Sequence, residues 1–117
     1  MSLEIVKHGV ISSIDAEKGT ARVTFPDHDE LVSYDLPIIM QHTGFMQVWA
    51  MPEVNQPVKC DFLDTGLEDG FISGGFYNED NPPPTNDPNK FGVFFKDGTV
   101  IIYDKNTKEI TINGASK

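Results

Sequence analysis

The sequence has few of the residues that stabilise small proteins through disulfide bonds or bound metal ions. Cys60 is the one cysteine among 117 residues, so neither an intrachain disulfide nor a Cys-x-x-Cys pair is possible. The histidines His8, His28 and His42 lie at no metal-ligand spacing from one another. No Gly-rich phosphate loop or Gly-x-Ser-x-Gly motif occurs. We therefore expect no metal, no cofactor and no catalytic residue.

Basic residues and long apolar runs are also scarce. Nine Lys and Arg residues face 18 Asp and Glu residues, which gives a net charge of −9. Such a balance repels phosphate backbones, so we expect no nucleic acid partner. No run of about 18 apolar residues is present, so no membrane-spanning helix is predicted.

The patterns that are present predict an all-β chain. Apolar residues do not recur at helical spacing, whereas short alternating runs separated by Gly, Pro, Asn and Asp recur throughout. Five or six such strands suit a small closed barrel, because closure removes exposed sheet edges. We expect Trp49 and Met51 to fill the interior of this barrel or to cap its end. The predicted strands are residues 5–14, 20–25, 30–36, 45–50, 58–63 and 70–77. In the fifth of these strands, the side chains of Val58, Cys60 and Phe62 are expected on one face and those of Lys59 and Asp61 on the other.

A proline-rich segment then interrupts the strands. Residues 78–90 hold four of the eight prolines and almost no apolar side chain. Pro82 to Pro84 favour a semi-rigid extended spacer of about 3 Å per residue. We predict a barrel at residues 1–78, a linker at 79–90 and a β-strand segment at 91–117.

The last segment carries turn signals at Gly98, Asn106 and Gly114, which are eight residues apart. Two interpretations remain open. The segment is either a β-meander folded back on the barrel, or three short strands that need identical copies of the chain to cover their apolar residues.

One short motif suggests an enzyme. An apolar pair followed by Asp64-Thr65-Gly66 resembles the active-site signature of aspartic proteases, whose homodimeric members share one proton between two aspartates. Leu67 stands where that signature prefers a small residue. The alternative is a polar hairpin loop.

Over nearly its whole length the chain resembles the baseplate assembly protein V, or central-spike, family of contractile phage tails, related to type VI secretion spikes. The resemblance begins with "GVISSID", "ARVTFPD" and "VSYDLPII" and is strongest over "WAMPEVNQPVKCDFLDTGLEDGFISGGFYNEDNPPP". Asn55-Gln56-Pro57 departs from the usual Gly followed by an acidic or polar residue. The resemblance also assigns Asp64 to a hairpin loop.

The resemblance implies an OB-fold-like Greek-key barrel that trimerises, followed by a short stem in which three chains wind into an intertwined β-prism. It implies a non-enzymatic hub of the virion tail baseplate, assembled in the host cytoplasm. Other baseplate and tail-tube proteins would be its partners, and it would meet the target envelope only on contraction. The stem bends would be Gly98, Asn106 and Gly114, and the trimer contacts Val93, Phe95, Val100, Ile102, Ile110 and Ile112.

Two other functions remain as alternatives to the spike. An OB-fold commonly binds oligonucleotide or oligosaccharide on its barrel face, although the aromatic residues here lack basic neighbours. The second alternative is the homodimeric aspartic protease that uses Asp64.

Overall fold

The computed structural model of the protein describes residues 6–63 and 69–114, without the side chain of His28. Regular structure in these ranges consists of nine β-strands and a 3₁₀ turn at Pro26–His28, with no α-helix, so the predicted all-β class is confirmed. No described segment forms a helix long and apolar enough to cross a membrane. The strands are β1 (Val6–Asp15), β2 (Thr20–Phe25), β3 (Leu31–Val32), β4 (Leu36–Pro37), β5 (Pro57–Phe62), β6 (Gly70–Gly75), β7 (Lys90–Phe94), β8 (Val100–Asp104) and β9 (Glu109–Asn113).

The chain divides into two compact units, Met1–Asn81 and Pro82–Lys117. The division falls inside the predicted linker of residues 79–90, and the stiffness of that linker stays a prediction. The first unit holds one sheet in the order β3-β2-β1-β5-β6, with β4 also paired to β2. The second unit holds a three-stranded antiparallel sheet in the order β7-β8-β9.

The first sheet closes on itself beyond β4. Ile38 forms a bridge with Ile72 of β6, and the Ile39 N–H donates to the Ile72 carbonyl over 2.9 Å. This contact joins the β4 end of the sheet to β6, as in a small closed barrel. The OB-fold and Greek-key assignments stay predictions.

Alternation along the strands builds the core of the first unit. Successive residues of a strand point to opposite faces, and in β5 the buried residues alternate with Lys59 and Asp61 as the sequence predicted. The rings of Phe25 and Phe62 meet edge to face, with their centroids 5.9 Å apart. The hydrophobic core consists of Ile11, Ala21, Val23, Phe25, Leu36, Val58, Cys60, Phe62 and Ile72.

Ser33 breaks the single strand predicted for residues 30–36 into β3 and β4. The Val23 N–H donates to the Ser33 hydroxyl over 3.0 Å, and the Ser33 N–H donates to the Val23 carbonyl over 2.8 Å. The hydroxyl in turn donates to the Tyr34 carbonyl over 2.7 Å. A buried side chain therefore takes the place of a backbone acceptor where the strand bulges away from β2.

The prediction of a strand at residues 45–50 was wrong. Thr43 and Gln47 pair across a short hairpin, and the Val48 N–H donates to the His42 carbonyl over 2.8 Å. Trp49, which the sequence placed inside or at the end of the barrel, is exposed. The apolar residues of segment 45–50 therefore belong to a projecting loop and not to the wall of the barrel, because this segment pairs only with residues next to it in the chain.

Candidate functional site

The sheet of the second unit has no core of its own. Among the described residues 82–114, no side chain is buried. The nine residues of the buried hydrophobic core all belong to the first unit. A three-stranded sheet normally needs one face covered to be stable in water, so this sheet is the candidate functional surface.

The register of β7, β8 and β9 places apolar side chains opposite one another. Val93 pairs with Ile101, which pairs with Ile112. Two residues along, Phe91 pairs with Tyr103, which pairs with Ile110. Directly opposed residues share a face, and residues two apart in a strand also share it. We call this set the apolar face: Phe91, Val93, Ile101, Tyr103, Ile110 and Ile112.

The apolar face is accessible in the single chain. The exposed fraction of its side chains runs from 38% at Tyr103 to 79% at Phe91. None of the six residues carries a charge, although the chain as a whole has a net charge of −9. A contiguous exposed apolar surface of this kind is typical of a protein interaction site.

The opposite face of the sheet is mixed in character. It carries charged residues at the ends of the strands, and its apolar residues Phe94, Val100 and Ile102 are half-buried. At Gly92 a Cβ atom would collide with the Ile101 carbonyl, so glycine allows β7 and β8 to lie close together. The two faces therefore differ in both polarity and accessibility.

The predicted trimer contacts divide between the two faces. Val93, Ile110 and Ile112 lie on the apolar face. Phe95 continues that row, since its N–H donates to the Thr99 carbonyl over 2.9 Å just beyond β7. Val100 and Ile102 lie on the opposite face. Their roles as trimer contacts stay predictions.

Sequence reasoning missed Phe91, Ile101 and Tyr103 as members of the apolar face. The signal was present in the alternation of β8, but both of its faces are apolar over residues 100–103. Only the pairing with β7 and β9 identifies the face on which the other two strands also place apolar residues.

The predicted bends coincide with the turns of this sheet in part. Gly98, with a φ of 97°, lies in the β7–β8 turn. There the Thr99 N–H donates to the Asp97 carboxylate over 2.8 Å and lowers the pKa of that carboxyl. In the β8–β9 turn the Asn106 N–H donates to Asp104 Oδ1 over 2.9 Å, and the left-handed residue is Lys108, with a φ of 63°.

The first unit offers a cavity of about 300 Å³. Apolar side chains and glycine backbone form most of its wall, including Ile38, Ile39, Met51, Pro52 and Ile72. No group of three or more His, Cys, Asp or Glu residues that would hold a metal occurs in residues 6–63 and 69–114. Asp64 of the protease-like motif lies outside the described residues.

Comparison with known proteins finds a similarity that extends over both units. No protein-family model matches the chain. The spike protein of Escherichia phage P2 is 26% identical to it over 110 residues. The match covers 94% of this chain and 51% of the phage protein, so the chain spans about half the length of this relative.

Proposed function

We propose that this protein is a structural, non-enzymatic component of a contractile phage tail, and that it forms a homotrimeric hub and spike in the baseplate. The similarity to the phage P2 spike protein over 94% of the chain supports the tail role. The observation that carries the trimer is the apolar face, whose six side chains are all exposed in the single chain.

Burial of this face between copies is the physical basis of the assembly. Full burial of one large apolar side chain contributes about 1.5–3 kcal/mol, so burial of the six between copies offsets part of the entropy cost of ordering the three strands, and a single chain lacks this contribution. Copies of one chain present the same face to a common axis, which leads to closed symmetry. The first unit is proposed to be an OB-fold barrel that trimerises with the stem.

The proposed role is mechanical. A narrow point built from three interlocked sheets concentrates the force of contraction on the target envelope. Such an assembly resists unfolding, because no chain leaves without exposing the apolar residues of the other two. The proposed partners are other baseplate and tail-tube proteins in the virion, with assembly in the host cytoplasm.

Two measurements test this proposal: the mass of the protein in solution, and the change in that mass when a charge is placed on the apolar face. Static light scattering of the purified chain is expected to give three times the 13.0 kDa chain mass. Ile112→Asp puts a carboxylate on the apolar face and is expected to shift the protein to monomers at micromolar concentration.

Thr111→Asp is the matched control. Thr111 is exposed, lies on the same strand and pairs with Ile102 on the opposite face. This variant adds the same charge one residue away and is expected to remain a trimer. A monomeric parent chain, or equal dissociation of the two variants, contradicts the proposal.

A further inference from the structure

The first unit carries an exposed apolar projection. Residues 36–52 contain no charged side chain, although 23% of the chain is charged. In the middle of this stretch lies the 42–48 hairpin, held by pairing of Thr43 with Gln47 and by the Val48 to His42 hydrogen bond. Phe45 at its tip is fully exposed, and the neighbouring Met46 is also exposed. The backbone of the hairpin therefore holds the Phe45 side chain in a solvent-exposed position.

The same unit carries a cavity that suits such a ring. Its volume is about 300 Å³, and a dry cavity of roughly 150 Å³ already holds benzene in other proteins. None of its lining residues carries a charge. Phe45 does not occupy the cavity of its own chain, because its side chain is completely exposed.

Electrostatics restricts what can enter this cavity and where copies of the chain can meet. Two chains with a net charge of −9 repel each other over most of their surfaces. Contact is least opposed where both surfaces lack carboxylates, and the 42–48 hairpin and the cavity lining both do. A second copy of this chain thus supplies an occupant that matches in polarity, charge and size.

We propose that Phe45 of one copy inserts into this cavity of a neighbouring copy. The Phe45 side chain and the cavity are different surfaces of one unit, so the contact is head-to-tail. In a closed cyclic assembly every Phe45 side chain enters a cavity and every cavity is filled. The number of contacts, three, rests on the proposed homotrimer. The contact joins the first units of neighbouring chains and uses surfaces other than the apolar face of the second unit, whose burial remains necessary for assembly.

Cysteine cross-linking tests this contact directly. Copies carrying Phe45→Cys and copies carrying Met51→Cys, distinguished by a mass tag, are coexpressed and oxidised. Native Cys60 is buried and does not compete. The expected product is a disulfide-linked pair with one copy of each kind. Each copy has a single introduced thiol, so no intrachain link can mimic this result. Pairs of two Phe45→Cys copies alone overturn the proposal.

Truncation of the Phe45 side chain tests its contribution to the association of the copies. Phe45→Ala is expected to lower the association constant by about 10- to 100-fold, as for a central aromatic anchor. Tyr34→Ala removes an exposed ring outside the hairpin and is expected to change it by less than about threefold. Equal effects of the two variants overturn the proposal.

The two proposals fail in distinguishable ways. If the parent chain is trimeric and Ile112→Asp dissociates it, but no mixed cross-link forms, the Phe45 contact is wrong and the proposed function stands. If the mixed cross-link forms in an assembly of another size, the Phe45 contact stands and the proposed trimer is wrong.

Discussion

Ile101 and Ile112 lie directly opposite each other in adjacent antiparallel strands, and the side chains are 46% and 77% exposed. Cross-strand apolar pairs of this type stabilise a sheet when a third surface covers them. Within the described second unit no such surface exists, since residues 82–114 include no buried side chain. The pair is therefore the centre of the surface that we propose is buried between copies.

Association of the chain is expected to strengthen with salt. Copies with a net charge of −9 repel one another, and the Debye length falls from about 10 Å at 0.1 M to about 3 Å at 1 M ionic strength. The proposed contacts are uncharged, so screening removes repulsion without removing attraction. Sedimentation equilibrium at both ionic strengths measures the change. Weaker association at high salt would indicate that ion pairs hold the copies together and would contradict the proposed contacts.

Ser33→Ala is expected to lower the free energy of unfolding by about 1–3 kcal/mol. The substitution leaves the buried Val23 N–H without its acceptor, and an unsatisfied buried donor carries a penalty of that size. Urea denaturation at fixed protein concentration provides the measurement. Ser13→Ala, at an exposed position of β1, is the control and is expected to change stability by less than about 0.5 kcal/mol. Indistinguishable variants would mean that the hydroxyl contributes little to the β2 contact.

Cys60 is expected to be unreactive in the folded chain and to make stability sensitive to alkali. Burial, with a smaller contribution from the Asp61 charge, raises the pKa of the thiol from 9.0 to about 12. Between these two values the unfolded chain loses the thiol proton while the folded chain keeps it. The free energy of unfolding therefore falls as pH rises above about 9.

Cys60→Val isolates this effect, because it keeps an apolar side chain of similar size and removes the titrating group. Other alkaline titrations are common to both proteins. Urea denaturation across this pH range is expected to show a steeper loss of stability in the parent chain than in Cys60→Val. Parallel pH profiles, or rapid labelling of the folded chain by a thiol reagent at neutral pH, would show that the thiol is accessible.

Much of the first unit was predictable from local alternation. The limits of β2 match the predicted residues 20–25, and β5 buries Val58, Cys60 and Phe62 as expected. The strand break at Ser33 was not predictable, because it depends on a hydrogen bond to Val23, ten residues away. The hairpin around Phe45 was missed because apolar content alone does not separate a barrel wall from a projecting loop.

The sequence by itself determined the all-β class, the acidic surface, the uncharged stretch of residues 36–52 and the turns at Gly98 and Asn106. These features depend on residues close together in the chain. Only the tertiary structure decided that Phe91, Ile101 and Tyr103 share a face with Ile110 and Ile112, and that Val100 and Ile102 do not. The physical reason is that alternation assigns each strand two faces, whereas the register between strands decides which of those faces coincide.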